Sequence, residues 1–406
     1  MPATGQASPH AIVAGGGIGG LAAALGLAQK GCRVTVLEQA AQFGEIGAGV
    51  QLGPNAFHAM DWLGIGDAGR ARAVYIDALV MMDGISGEQV FYGPVGDDFR
   101  KFFGNPYAVI HRADLHGAFL NACRAHPSIE LVNNERVLSA ENTGSGAKVS
   151  TEAGHTYEAD AVIGADGIYS KIRQRITGPD EPMRLSGHVA YRAVLKIDDM
   201  PEDLRWNAAT LWAGRKCHMV HYPLQGWRTF NLVATFVTDV ENVGANEPGT
   251  REEILSRFGD IVPRARKLLE IPQAWRRWVL GDRDPIPQWT DGRITLLGDA
   301  AHPTYQYFAQ GACMAMEDAV CLADAFERCE GDFEAAFKTY ETERIPRAYR
   351  VVLGSRELGR VYHAEGVERL VRNAWLKAKT PEEFYASMKW LYGGTGLSGS
   401  LQPKAA

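Results

Sequence analysis

The sequence predicts an α/β fold, in which a parallel sheet with helices carries an inserted, mainly antiparallel β domain and ends in a helical segment. Three observations lead to this prediction. A glycine-rich loop joins an apolar strand to a helix near the start of the chain. Residues 185–280 contain several short runs of alternating character, and helical spacing of apolar residues begins near Glu317. At 406 residues, the chain is long enough for about two or three domains.

Composition and charge narrow the class of protein. The 42 basic and 48 acidic residues give a net charge of −6, and this mild acidity argues against a nucleic-acid partner. The six cysteines are scattered without paired spacing, which is typical of reduced thiols in a cytoplasmic protein. The first ten residues lack the features of a signal peptide, and no apolar run is long enough to span a membrane. His and Cys residues show no metal-ligand spacing, so we expect no metal site.

A glycine-rich loop near the start of the chain is the strongest motif. The apolar strand 11–14 runs into Gly15-Gly16-Gly17-Ile18-Gly19-Gly20, a helix follows, and a second strand, 33–37, ends at Glu38. This order of strand, loop, helix, strand and acid is that of a Rossmann-like dinucleotide-binding unit. The same glycine pattern recurs at 394–399 without a flanking strand or helix, so we assign that copy to the tail. An incidental glycine turn is the alternative for such a pattern alone.

Individual positions in the loop have physical roles in nucleotide binding. Gly15 turns sharply out of the strand, and Gly20 lets the helix approach the sheet. Gly17 leaves room for a pyrophosphate at the helix N-terminus beside Ile18, where free N–H groups favour anions. Glu38 can accept hydrogen bonds from the two hydroxyls of an adenosine ribose, and it would repel a 2′-phosphate. The loop by itself does not distinguish FAD from NAD.

Two later strands end in acidic turns. Asp166 follows the buried strand 159–163 in a Gly-Ala-Asp-Gly turn, and Asp299 follows strand 294–297 in Gly-Asp-Ala-Ala-His-Pro. Both aspartates are therefore expected at the carboxyl edge of the parallel sheet, where α/β folds bind ligands. An ordinary surface Asx turn is the alternative for either residue alone.

Together, the glycine loop, the central Asp-Gly turn and the late Gly-Asp turn resemble the single-component FAD-dependent aromatic hydroxylases over nearly the whole chain. The resemblance implies a discontinuous Rossmann-like FAD-binding domain of residues 1–75, 104–184 and 281–350. It also implies a substrate-binding domain of residues 76–103 and 185–280, followed by a C-terminal helical segment, residues 351–406. FAD would be the bound cofactor, a flavin C4a-hydroperoxide would oxygenate the substrate, and a homodimer is expected because dimers are common in the family.

The resemblance also assigns cofactor contacts to residues beyond the loop. Glu38 would hold the FAD ribose, Asp299 the ribityl hydroxyls, and Arg112 would lie beside the pyrophosphate and the ribityl chain. Asp166 would support the site that FAD and NADH pass, whereas Arg112 judged from its neighbours alone fits a solvated face equally well. Gly49 and Gln51 would lie in a loop along the flavin. The amides around Gly311 to Met314 at a helix start, including those of Ala312 and Cys313, would face flavin N1 and O2.

The substrate pocket is expected on one strand of the inserted domain. His218, Val220 and Tyr222 share a face of the strand 217–223 because side chains alternate with a period of two. A histidine and a phenol with aliphatic side chains between them suit an aromatic ring. By resemblance, His218 and Gln306 would hydrogen-bond the substrate and Tyr222 would line the pocket. The alternative for each of them is an ordinary packed or hydrogen-bonded residue.

The stretches 44–51, 216–224 and 302–307 resemble family members that hydroxylate 3-hydroxybenzoate para to its hydroxyl group, yielding gentisate. Such chemistry needs an electron-rich ring, which a histidine with a pKa near neutral provides by accepting the phenol proton. Salicylate and 6-hydroxynicotinate are alternative substrates, and a reductase without oxygen insertion or a non-catalytic FAD-binding protein is a more distant alternative. No basic residue can be assigned to the substrate carboxylate: Arg215 and Lys216 both adjoin the strand, and Lys216 shares the face of His218 whereas Arg215 points away from it.

The sequence contains no separate binding unit for NADH or NADPH. We find no further strand-glycine-helix unit, so NADH is expected to bind transiently near the FAD, together with O₂ and a small aromatic acid as partners of the protein. The choice of NADH over NADPH depends on the resemblance alone.

Overall fold

The N-terminal strand, loop and helix belong to a six-stranded, mostly parallel sheet. Its central strands are buried on both faces, as expected for a sheet covered by helices. The strand order is β19 (Thr290–Asp291), β20 (Ile294–Leu296), β12 (Ala161–Gly164), β1 (His10–Ala14), β2 (Arg33–Leu37) and β8 (Ile129–Val132). β19 pairs antiparallel with β20, and the other pairs are parallel. The predicted strands at 11–14, 33–37, 159–163 and 294–297 are therefore present, with small shifts at their ends.

The computed structural model describes residues 8–44, 48–179, 181–238 and 246–393. The glycine pattern at 394–399 and the central part, 45–47, of the stretch 44–51 lie outside the described residues. The helices of the described chain are α1 (Ile18–Gln29), α2 (Pro54–Trp62), α3 (Gly66–Arg70), α4 (Asp97–Phe103), α5 (Arg112–Ala125), α6 (Arg173–Thr177), α7 (Arg251–Arg257), α8 (Pro263–Glu270), α9 (Gly311–Arg328), α10 (Phe333–Tyr362), α11 (Gly366–Lys377) and α12 (Pro381–Tyr392).

An eight-stranded sheet forms the inserted domain and is mainly antiparallel, as predicted. Its order is β17 (Glu247–Gly249), β18 (Trp275–Asp282), β13 (Arg184–Lys196), β16 (Thr229–Val237), β15 (Cys217–Leu224), β14 (Ala208–Ala213), β5 (Ala78–Asp83) and β6 (Gln89–Pro94). The pair of β14 and β5 is parallel and joins the hairpin at 78–94 to the later strands.

Two smaller sheets complete the strands of the described chain. One contains β11 (Thr156–Ala159), β10 (Ala147–Thr151) and β9 (Val137–Asn142). The other contains β3 (Gly49–Leu52), β7 (Ala108–His111) and β4 (Val74–Tyr75). Because β3 pairs with β7 and α5 begins at Arg112, this sheet brings Gly49 and Gln51 close to the start of α5.

Helix α9 lies against α1 through small side chains. An added Cβ on Gly19 would lie 3.1 Å from Cβ of Ala315, and one on Gly26 would lie 3.1 Å from Cβ of Ala323. This close approach holds the two helices side by side. It therefore places the start of α9 near the glycine loop that precedes α1.

The C-terminal segment is helical, as predicted. α10 continues through Pro346 and across residue 350, where the sequence analysis places a domain boundary, and ends at Tyr362. No helix in the described parts of the chain is both long and apolar enough to cross a lipid bilayer.

Candidate active site

The glycine loop has the geometry of a nucleotide-binding turn. Gly15 has φ +113°, and a Cβ on it would lie 2.3 Å from the carbonyl oxygen of Ala165. A Cβ on Gly20 would lie 1.9 Å from the carbonyl oxygen of Gly15, so the helix can approach the strand only without a side chain there. Gly17 is the N-cap of α1 and no side chain caps the helix, which leaves its first N–H groups available to an anion.

Glu38 lies beside this loop at the end of β2. Its Oε2 accepts a hydrogen bond of 2.7 Å from the Gly16 amide, and its Oε1 accepts one of 2.8 Å from the Ala40 amide. The side chain is half-buried and therefore keeps access to solvent. Glu38 is thus held next to the position where Gly17 and Ile18 begin α1, as a ribose-binding role requires.

Asp166 has a local structural role. Its carboxylate accepts hydrogen bonds from Ser170 Oγ at 2.5 Å and from the Lys171 amide at 2.7 Å. Burial raises the pKa of Asp166, and these hydrogen bonds partly offset that effect. They fix the turn at 165–172, which contacts Gly15 through Ala165. Support of the cofactor site through this turn stays a prediction.

Asp299 lies in a cleft that suits a polar ligand. Its side chain is exposed to solvent. The surrounding protein nevertheless displaces part of the water around its carboxyl group, which raises the pKa of that group, while His302 and Arg112 lower the pKa. A Cβ on Gly311 would lie 3.9 Å from Asp299 Oδ1, so the cleft reaches the start of α9. The exposed Arg112 is thus an electrostatic neighbour of Asp299.

The start of α9 offers a set of backbone donors. No side chain caps this helix, and Gly311 and Ala312 are half-buried. The Met314 amide donates to the Gln310 carbonyl at 2.8 Å. The range of amides expected to face a flavin therefore ends at Cys313, one residue earlier than the sequence analysis placed it.

Strand β3 contacts this helix start. Cys313 Sγ lies 3.6 Å from the Gln51 carbonyl oxygen, and burial raises the pKa of the thiol to about 12. The Gln51 side chain accepts a hydrogen bond of 2.8 Å from Tyr107 Oη. The Arg112 amide donates to the Ala48 carbonyl at 2.9 Å. Cys313 is therefore a neutral packing residue that holds β3 against α9.

A buried charge network fixes the start of α9 and the Gly298–Asp299 turn. Arg344 binds Glu317 at 2.6 Å and Asp318 at 2.7 Å, and all three side chains are fully buried. Asp318 also accepts hydrogen bonds from the Gly298 amide at 3.0 Å and from His302 at 2.5 Å. Burial alone would raise the pKa of Asp318, but His302 and Arg344 hold it at about 2. Glu317 and Asp318 thus support the start of α9 and the Gly298–Asp299 turn.

These features suit FAD. An uncapped helix start beside Gly17 fits a pyrophosphate, Glu38 fits the ribose hydroxyls, and the cleft at Asp299 fits a polyhydroxyl chain. The amides at Gly311 fit the part of an isoalloxazine ring that gains negative charge on reduction. Each of these four features matches a different part of the cofactor.

The predicted substrate residues meet on one face of the large sheet. In register, His218 pairs with Thr235, Val220 with Val233, and Tyr222 with Asn231. Their side chains point away from the apolar core on the other face of the sheet. We call this face the pocket face. The period-two prediction for His218, Val220 and Tyr222 is thus consistent with the register, while their roles stay predictions.

Tyr222 packs directly against β3. A Cβ on Gly49 would lie 2.5 Å from Tyr222 Cε2, so only glycine permits this contact. The Gly49 amide also donates to Asn231 Oδ1 at 2.9 Å. Burial raises the pKa of Tyr222 well above its usual range, so the phenol is protonated. Tyr222 therefore joins the large sheet to the strand expected along the flavin.

His218 is buried and neutral. Its Nδ1 and His363 Nε2 share a hydrogen bond of 2.7 Å. Burial, with a smaller effect of His188, lowers the pKa of His218 to about 3. Tyr307 and Tyr362 flank its ring, with centroids 5.7 and 5.5 Å away. His218 is therefore unprotonated at neutral pH, and its pKa lies below the near-neutral value expected from the sequence because burial disfavours the charged imidazolium.

Sequence reasoning missed His363 and Arg192. His363 follows α10 and carries no motif, and its contact with His218 spans 145 residues of chain. It also lines a cavity of about 1210 Å³ together with His188 and Tyr307. Arg192 donates from Nη2 to Gln306 Oε1 at 2.9 Å, and Gln306 in turn donates to Thr235 Oγ1 at 2.9 Å. A lone arginine within an apolar alternating strand was the available signal for Arg192.

The fold and the cleft define an FAD-dependent flavoprotein. The family model described as FAD binding domain matches residues 9–355, and the chain belongs to this family of FAD-dependent aromatic hydroxylases. In sequence it is 53% identical over 383 residues to a 3-hydroxybenzoate 6-hydroxylase of Polaromonas naphthalenivorans (strain CJ2), covering 94% of this chain and 95% of the relative. It is 51% identical over 384 residues to a 3-hydroxybenzoate 6-hydroxylase of Klebsiella oxytoca, covering 95% and 96%.

A solved structure supports the same relation. HpxO of Klebsiella pneumoniae, complexed with FAD and uric acid, matches with a TM-score of 0.84 and 27% identity over 94% of this chain and 95% of that chain. The resemblance to FAD-dependent aromatic hydroxylases drawn from the three motifs is thus confirmed.

Proposed function

We propose that the protein hydroxylates 3-hydroxybenzoate para to its hydroxyl group, yielding gentisate, with NADH and O₂ as co-substrates. The names of the relatives at about half identity support this substrate. The observation that carries the proposal is His218, a neutral imidazole on the pocket face whose Nδ1 is held by His363. Salicylate and 6-hydroxynicotinate are the competing substrates.

His218 would accept the phenol proton as the ring attacks oxygen, because the hydroxyl group then becomes acidic enough for a base whose pKa burial lowers to about 3. When the proton of the shared hydrogen bond resides on His218 Nδ1, Nε2 carries the lone pair that takes the phenol proton. Loss of this proton raises the electron density of the ring at the position para to the oxygen. We expect Gln306, which is held by Arg192 and Thr235, to hydrogen-bond the same oxygen.

FAD, when bound, would pass two electrons from NADH to O₂, so that one oxygen atom enters the ring and the other leaves as water. Overall, substrate, O₂, NADH and one proton give gentisate, water and NAD⁺. The glycine loop with Glu38 would hold the nucleotide half, and Asp299, Arg112, Gln51 and the amides of Gly311 to Cys313 would hold the flavin half. Buried side chains such as Tyr222 exclude water from the reacting atoms.

The remaining expectations accompany this proposal. We assign residues 1–75, 104–184 and 281–350 to cofactor binding, residues 76–103 and 185–280 to substrate binding, and residues 351–406 to a C-terminal helical segment. A cytoplasmic location is supported by the six cysteines, all of which are free. A homodimer remains a prediction that light scattering after size-exclusion chromatography would test.

The experiment measures aerobic NADH oxidation by the FAD-loaded protein with 3-hydroxybenzoate, salicylate and 6-hydroxynicotinate offered separately. Gentisate and hydrogen peroxide are quantified in each reaction, and NADPH replaces NADH in a parallel series. We expect gentisate from 3-hydroxybenzoate alone, in near one-to-one ratio with NADH consumed. A coupled product from another acid, or only peroxide from all three, would overturn the proposed substrate.

A further inference from the structure

We propose that Arg192 binds the carboxylate of the aromatic substrate, so that the pocket contains its own anion subsite. This inference rests on the proposed function, because it assumes that an aromatic acid occupies the pocket face. It supplies the basic partner that could not be assigned from the sequence.

The position of Arg192 follows from the register of the sheet. Arg192 on β13 pairs with Val233 on β16, and Val233 pairs with Val220 on β15. Val220 lies between His218 and Tyr222 on the pocket face. Two strand spacings of about 4.8 Å each separate the backbones of Arg192 and Val220. The guanidinium group can thus reach one end of a ring whose hydroxyl group lies near His218.

Arg192 carries a charge without an acidic partner in the described chain. Its guanidinium group forms no ion pair with any carboxylate that the structure describes, and its Nε is buried without a hydrogen-bond partner. The contacts recorded for it are with neutral groups: Gln306 Oε1, and the Trp278 ring at 5.3 Å from its centroid. Burial lowers the pKa of Arg192, as expected for a cation removed from water.

A half-buried cation without a counter-charge is costly, and a ligand anion removes that cost. Desolvation of a charged group is favourable only where a counter-charge or several hydrogen bonds replace water. Arg192 has electrostatic interactions with Tyr222 and with Arg112. Since Arg112 is itself a cation, it cannot compensate Arg192. A carboxylate matches the planar donor geometry of a guanidinium group better than other small anions.

The other basic residues near His218 in the sequence have acidic partners. Lys216 lies 3.5 Å from Glu365, and Arg215 lies 3.7 Å from Asp260, with both basic side chains largely exposed. Neither can replace Arg192 within the pocket. His218, Val220 and Tyr222 each pair with one residue of β16, which in turn pairs with one residue of β13. Among these nine residues, Arg192 is the only one with a permanent charge.

The test compares charged and uncharged ligands of one shape. The FAD-loaded wild type and the Arg192→Gln variant are titrated with 3-hydroxybenzoate and with 3-hydroxybenzamide, and binding is followed by the flavin absorbance change. Loss of a charge-assisted contact should raise the Kd of the acid about 10- to 100-fold. The Kd of the amide should change less than about threefold, and the affinity for FAD should stay unchanged.

Two further variants keep the result interpretable. Arg276→Gln removes an exposed positive charge at the position that pairs with Arg192 on the neighbouring strand β18, and it should leave both Kd values unchanged. Arg192→Lys retains the charge and should weaken acid binding less than Arg192→Gln does, which gives a second measurement if the glutamine variant does not fold.

Three outcomes would overturn the inference. Equal weakening of the acid and the amide would make Arg192 a positioning residue for Gln306. Loss of FAD would assign Arg192 to the cofactor site, and unchanged binding of the acid would exclude any contact. The proposed function fails separately: if the wild type does not hydroxylate 3-hydroxybenzoate, titration with salicylate and 6-hydroxynicotinate still tests Arg192 as a carboxylate site.

Discussion

Replacing His218 with alanine should abolish most hydroxylation while FAD stays bound. Without the imidazole, only the substrate fraction that is already ionised has an activated ring. A phenol with a pKa of about 10 is ionised to about one part in a thousand near pH 7. We therefore expect the hydroxylation rate to fall about 10³-fold, within the range of about 10²- to 10⁴-fold that a general base contributes.

The pH profile distinguishes a base from a merely structural residue. Because burial lowers the pKa of His218 to about 3, its imidazole is neutral at every pH of the assay. The wild-type rate should therefore be level between about pH 6 and pH 9, as far as this group is concerned. In His218→Ala the rate should instead rise about tenfold per pH unit, because the phenolate fraction rises by that factor.

A matched control is available on the same strand. His218→Ala removes the hydrogen bond to His363 and should cost about 1–3 kcal/mol of stability. His221 is also buried but lies on the opposite face of β15, where it accepts a hydrogen bond of 3.2 Å from Trp212. His221→Ala should therefore lose similar stability and keep hydroxylation.

The assay measures gentisate, hydrogen peroxide and NADH together, with FAD content from absorbance and Tm from thermal unfolding. A His218→Ala variant with wild-type coupling, or with a residual rate that does not depend on pH, would refute the role of the base. Parallel loss of FAD would show that His218 is structural.

Three further perturbations test the architecture. Gly49→Ala would place a Cβ 2.5 Å from the Tyr222 ring, so it should cost about 1–3 kcal/mol and weaken substrate binding, as measured by Tm and by titration with 3-hydroxybenzoate. His218 and His221 have pKa values lowered by burial to about 3, so the unfolded state binds more protons below about pH 6.5. Stability should be complete above that pH and fall below it, by about 3 kcal/mol for the two together near pH 5.5 in denaturant unfolding. Arg344→Met would leave the buried carboxylate of Asp318 without an arginine partner and Glu317 with Arg347 alone, so it should cost about 3–5 kcal/mol, measured in the same way.

Controls and contrary outcomes are defined for each perturbation. Gly117→Ala lies within helix α5, where an added Cβ meets no heavy atom within 4 Å, so it should raise Tm slightly and leave substrate binding unchanged; an equal loss of Tm at both glycines would contradict the first prediction. Equal stability near pH 7 and pH 5.5 would contradict the second. Arg360→Met removes a side chain that is 76% exposed and should change stability by less than about 0.5 kcal/mol; a similarly small effect of Arg344→Met would contradict the third.

Local patterns predicted the features that depend on local geometry. The loop from Gly15 to Gly20 could be placed because its flanking strand and helix are adjacent in sequence. His218 and Tyr222 could be assigned to one face because side chains alternate along any strand. Both inferences use the backbone of a single element, which the sequence determines directly.

Contacts made by distant elements could not be derived in this way. His363 meets His218 only because α10 continues through Pro346 to Tyr362, and a proline within a helical pattern usually indicates an end or a kink. Arg192 became a candidate ligand-binding residue because it has no acidic partner among the described residues. Whether it has such a partner depends on every element packed around it and cannot be read from its own strand. The predicted range of free amides at the start of α9 was one residue too long, because the Met314 amide already donates to Gln310 within the helix.

Helix α10 carries the chain from the region matched by the family model to the neighbourhood of His218. The FAD-binding family model ends at residue 355, whereas the histidine that pairs with His218 stands at position 363, directly after the helix. The length and direction of the last helical turns therefore determine where His363 meets His218. A substitution in these turns would change the surroundings of His218 while leaving the glycine loop beside Glu38 intact.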